Sequence, residues 1–168
     1  MDILKTATDW AKAEVFSTSF FLVFGLLFLA ASAGFWQLGK SDLARAYVIP
    51  LTVAGVLLLV IGSGLVYTNK TRVVAFEQAY DTDAKAFVGE EISRAEGTLQ
   101  EYKTVVFTAI PVIIAVCALG LIFFSSPIWR ASLISAMAML IVILLIDGTA
   151  HARIAAYHQQ LLSVSETL

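Results

Sequence analysis

Long apolar runs alternate with polar connections along the chain. Four blocks, near 15–36, 46–68, 104–124 and 131–146, hold no Asp, Glu, Lys, Arg or His. The first three exceed the roughly 18 residues that a spanning helix needs, and the fourth does so once Ile128 and Trp129 are counted with it. Strands of a membrane barrel would instead alternate apolar and polar residues over ~10 positions, a pattern absent from these blocks. The pattern predicts an all-α integral membrane protein with four transmembrane helices, near 15–36, 46–68, 104–125 and 128–147.

The connections differ in character. Residues 37–45 read as a tight turn in which Ser41 caps the next helix, with Pro50 early in the second span. Ser126 and Pro127 fit the N-cap and first position of the fourth helix. Pro111 lies inside the third span and should kink it. Small residues, among them Gly25, Gly55, Gly62, Gly64 and Gly120, would let spans approach closely.

Residues 69–103 are too long for a turn and too regular for a linker. Val73, Phe76, Tyr80, Ala84 and Phe87 follow steps of three and four, as do Ile92, Ala95, Leu99, Tyr102 and Val106. Both patterns predict amphipathic helices that carry spans two and three beyond the bilayer as a hairpin. Gly89 is the favoured point of reversal, with Asp81-Thr82-Asp83 as an earlier alternative. The fourth helix is expected to continue over 148–163, so that helices two to four form a cytoplasmic helical bundle. Its positions Leu140, Leu144, Asp147, His151, Ile154, His158 and Leu161 keep an unbroken 4-3-4-3 spacing, the mark of a packing seam. Gly148 would permit a bend at the membrane surface. Residues 2–14 read as an amphipathic segment lying along the inner surface.

Composition sharpens this reading. An apolar content of 59% and a mean hydropathy of +0.84 belong to a membrane protein. The net charge of −2 leaves no basic stripe for a nucleic acid. Cys117, the sole cysteine, sits within an apolar block and reads as a small core residue. Ala31-Ser32-Ala33 resembles a signal cleavage site, but Asp2, Asp9 and Glu14 offset Lys5 and Lys12, so the first block reads as a retained helix. With the N-terminus inside, eight Lys and Arg fall on inner segments and three on outer loops. The positive-inside rule then places both termini in the cytoplasm of a bacterial-type inner (plasma) membrane.

Candidate chemistry gathers where the fourth helix leaves the bilayer. Asp147, His151 and His158 lie within about 40° of one another on a helical wheel. At matching heights, one layer would hold His151, Glu101, Lys103 and Lys70, and a second His158, Glu77, Glu96 and Arg94. Imidazole with carboxylate suits zinc, iron or manganese, which makes Asp147, His151, His158, Glu77 and Glu101 the candidate metal ligands. The same histidines could serve as a pH switch. The plainer reading is that they fix the register of the bundle. The charged positions Glu90, Glu91, Arg94 and Glu101 read as a solvated face with a Glu90–Arg94 pair. No ionisable group lies near any span centre, which argues against a proton pump, and no sequence motif names a cofactor. The expected function is a membrane subunit or scaffold, a homo-oligomer or part of a larger membrane complex. A metal-dependent enzyme is the alternative, and an oligomeric channel the weaker one.

Overall fold

The computed structural model describes residues 3–166 and is all-helical, with no strand among the described residues. Helix α1 spans Ile3–Leu38, the short α2 Asp42–Ala46, α3 Val48–Thr82, α4 Ala84–Glu101, α5 Ile110–Phe123 and α6 Pro127–Ser165. Between α4 and α5, Tyr102–Ala109 form a π-helix, so 84–123 run as one helical rod. Four rods are long and apolar enough to cross a membrane, and they run up and down beside one another.

Turn chemistry explains the reversals. Ser41 accepts a hydrogen bond from the Ala44 backbone N–H at 3.2 Å and starts α2. The reversal between α3 and α4 falls at Asp83, not at the expected Gly89, which lies within α4. Asp83 is extended (φ −156°, ψ 98°) and its carboxylate accepts from the Ala86 N–H at 2.9 Å. An acceptor at the N-cap satisfies a donor that the helix cannot, whereas glycine offers only freedom. The earlier of the two candidate breaks is therefore the one used.

Two other expectations change. The described part of the N-terminal segment, 3–14, is the beginning of α1 and packs into the bundle, with Ile3, Ala7, Trp10, Ala11 and Glu14 buried; Asp2 lies outside the described residues. Its apolar face meets protein, so no separate surface helix forms. Helix α6 passes through Gly148 without interruption. The π-helix, by contrast, ends at the proline expected to disturb the third rod. Pro111 has no N–H to donate and its ring crowds the carbonyl one turn back. Widening the preceding turns relieves that crowding: the Ile110 N–H bonds to the Val105 carbonyl, and the Thr108 hydroxyl reaches Lys103 O at 2.8 Å.

Packing divides the molecule into two zones. In the apolar zone α1 and α3 lie backbone to backbone. A Cβ placed on Gly55 would stand 2.9 Å from Gly25 O, and one on Gly62 would stand 2.8 Å from Phe21 Cβ. Phe21, Leu58, Val142 and Ile146 fill the space they share with α6. Helix α5 packs on α6, and among the described residues none of its Cα atoms comes within 8 Å of one in α1 or α3. In the polar zone Ile3, Trp10, Phe76, Phe87, Val88, Ile154, Tyr157 and Leu161 form a core drawn from α1, α3, α4 and α6.

Candidate functional site

The polar zone is joined by buried charges rather than by apolar contacts alone. Glu14 of α1 is 5% exposed and accepts a hydrogen bond from Arg153 Nε of α6 at 2.9 Å. Glu91 of α4, 6% exposed, takes two bonds from Arg94, the Nε one at 2.7 Å, and a third from the Tyr157 hydroxyl at 2.9 Å. Tyr157 stacks on Trp10 with ring centroids 5.1 Å apart and planes 9° from parallel. The Arg94 guanidinium stands 4.5 Å from the centroid of that same Trp10 ring. One tryptophan from α1 thus meets a tyrosine from α6 and a guanidinium from α4.

These residues lie beyond the apolar blocks, and their ionisation follows their surroundings. Burial alone would lower the Arg94 pKa, but the hydrogen bond and charge of Glu91 raise it further, so the guanidinium stays charged. For Tyr157 burial comes first, then the charge of Glu91 and the bond to it, and all three push the phenol pKa up. Arg72 of α3 moves the other way. Burial, then the positive charge of Arg94, lowers its pKa, and its Nη1 donates at 3.0 Å to the Asn69 amide oxygen, a neutral partner.

A cavity of about 490 Å³ opens where the polar zone meets the apolar one. Its polar wall carries Arg72, Arg94, Glu14, Glu101, Asp147 and Tyr102, with Trp10 beside them. Its apolar wall is Leu65, Val105, Val106, Ile146 and Ile154. The cavity fills the space between α3 and the π-helix, whose Cα atoms stay more than 8 Å apart among the described residues. The π turns widen the third rod at this level, and Tyr102, Val105 and Val106 line the cavity.

The five candidate metal ligands do not gather at one point. Asp147 and Glu101 both line the cavity. His151, one turn beyond Asp147, packs edge-on against Tyr102 at 5.7 Å and Phe107 at 5.0 Å. His158 Nε2 lies 3.4 Å from Glu96 Oε1, its expected neighbour in height, without a hydrogen-bond geometry. Glu77 is exposed on α3. Among the described residues no three His, Cys, Asp or Glu side chains gather closely enough to hold one ion.

Residues outside that candidate set do the joining. Glu91 and Arg94 are not a solvated face, and the ion pair on α4 is Glu91–Arg94 at i, i+3, not Glu90–Arg94. Only Glu90 and Glu101 of that group are exposed. The most buried line of α6 runs Val142, Ile146, Ala150, Ile154, Tyr157 and Leu161, so Asp147, His151 and His158 flank the seam instead of forming it. A signal for the α1 partner did exist: Ile3, Ala7, Trp10, Glu14, Ser17 and Phe21 keep a 4-3-4-3-4 spacing, and all six are buried.

Comparison with protein families, with curated proteins and with solved structures finds no match.

Proposed function

We propose that the chain is a non-catalytic, four-span membrane subunit that assembles with other copies of itself through its third span. The observation that carries this reading is the placement of α5. That helix is covered by α6 on one side, while Val112, Ile113, Val116, Leu119, Ile122 and Phe123 are all exposed on it. Helix association within a bilayer rests on van der Waals packing, and a span supported by one neighbour has most of its surface free for a second. The Lys- and Arg-rich end, with both termini, is assigned to the cytoplasmic side of a plasma-type membrane on the positive-inside rule.

The metal-dependent alternative has only pairs to draw on among the described residues, Asp147 with Glu101 in the cavity lining and His158 near the 60% exposed Glu96. An oligomeric channel would need polar groups along a shared face, and the exposed face of α5 is apolar.

Disulfide trapping in native membranes tests the assembly. In a Cys117→Ser background, Val116→Cys and Leu119→Cys should oxidise to adducts of twice the 18.2 kDa chain. Cysteines at Phe16 and Val56, exposed on α1 and α3, should cross-link far less. Equal trapping at all four positions, or at none, would overturn the proposal.

A further inference from the structure

The cavity beside α3 is charged in a divided way. Of its two guanidiniums, Arg94 is committed to Glu91, while Arg72 gives one of its five N–H groups to a neutral amide. Of its three carboxylates, Glu14 is committed to Arg153. Arg72 of α3, Glu101 of α4 and Asp147 of α6 are the lining charges left to a ligand. Apolar residues complete the lining, and of these Leu65 and Val105 keep 37% and 52% of their surface exposed. They come from α3 and the π-helix, whose Cα atoms stay more than 8 Å apart among the described residues, at the level where the apolar blocks end.

Each feature selects a property of the occupant. A guanidinium with unused donors presents a planar fork that matches a phosphate. Two further carboxylates in the lining repel a ligand that is only anionic and accept hydrogen bonds from an ammonium. Partly exposed apolar residues on two separated helices, where the apolar blocks end, suit hydrocarbon that continues into the bilayer. The volume lies within the ~300–1,000 Å³ usual for small-molecule sites. We infer that the cavity binds the headgroup of a zwitterionic phospholipid bearing a primary ammonium. Its phosphate lies on Arg72, its ammonium between Glu101 and Asp147, and its acyl chains leave between α3 and the π-helix. The site is independent of the exposed face of α5, so either proposal can fail alone.

Trp10 supplies the reporter. With Trp36→Phe and Trp129→Phe, both at exposed positions, it is the only tryptophan of the three. The detergent-purified full chain would be titrated with four probes: dihexanoyl phosphatidylethanolamine, phosphatidylcholine and phosphatidylglycerol, and free phosphoethanolamine. The expected result is a saturable change in Trp10 emission with phosphatidylethanolamine at a Kd about tenfold or more below those of the other three, the ratio that loss of one charge-assisted bond produces. Phosphatidylcholine lacks the N–H donors, phosphatidylglycerol lacks the cation and phosphoethanolamine lacks the chains. Arg72→Gln should raise that Kd about tenfold while leaving the Val116→Cys adduct unchanged. Should Arg72→Gln fail to fold, Asp147→Asn takes its place and should erase the preference for phosphatidylethanolamine over phosphatidylglycerol. A common Kd for the three lipids, or no emission change, would overturn the inference. Phosphoethanolamine binding as tightly as its lipid would overturn the lipid source in favour of a soluble phosphoamine.

Discussion

At the scale of single residues, Tyr157 joins more of the polar zone than either histidine does. Its ring stacks on α1 and its hydroxyl bonds to a buried carboxylate of α4. Tyr157→Phe keeps the ring and removes that bond, so it should cost about 1.5–3 kcal/mol at neutral pH, the usual worth of a hydrogen bond to a charged group. The pH dependence has a definite sign. The folded-state pKa is raised, so the neutral phenol is favoured in the fold. That contribution is whole below the ~10 of an unfolded tyrosine and is lost as pH climbs beyond it. Melting curves between pH 9 and 11 should therefore fall more steeply for the wild type than for Tyr157→Phe; parallel curves would contradict the assignment. The sequence did not disclose this residue because the fourth helix was phased by a heptad. The buried steps from Val142 to Leu161 are 4-4-4-3-4, longer on average than 3.5, so the seam drifts from one flank of the helix toward the other. Glu14–Arg153 was hidden for another reason: partners 139 positions apart leave no trace in local spacing.

At the scale of elements, what was legible depended on whether periodicity or capping chemistry decided the outcome. Spacing anticipated the buried Phe76, Phe87 and Ala95, because amphipathic order survives where polar residues mark the opposite face. The point of reversal required weighing a cap against a glycine. Two substitutions measure that choice, with opposite signs. Asp83→Ala removes the acceptor for the Ala86 N–H and should destabilise by about 1 kcal/mol. Gly89→Ala places a methyl where nothing lies within 4 Å, inside a helix, and should stabilise by ~0.5–1 kcal/mol. A Gly89→Ala protein that melts lower than wild type would return the reversal to Gly89. For α1, the polar residues before Glu14 masked a seam that continues into the apolar block, and composition prevailed over a spacing that was present.

At the scale of the whole molecule, two helix pairs of different character, α1–α3 and α5–α6, meet where α6 packs on α1 and α3. The α1–α3 pair is set by glycines: Gly55→Val would drive methyl groups against Gly25 O and Leu29, and overpacking of that kind costs about 1–3 kcal/mol. Gly64→Val, on the same helix with nothing within 4 Å of its Cβ, is the control and should leave the melting temperature in detergent within a degree or two. The α5–α6 pair has no comparable lock against α3, and the cavity occupies the resulting gap. Span number followed from block length alone. The cavity did not, because its walls come from five elements brought together only by the fold.

The unbroken course of α6 makes it a lever. Its 39 residues measure ~58 Å at 1.5 Å each. A tilt of about 10° at Pro127 would sweep the far end by ~10 Å with no hinge to absorb it. Arg153 and Tyr157 ride on that arm, so any rocking of the fourth helix reaches the buried carboxylates of α1 and α4 together.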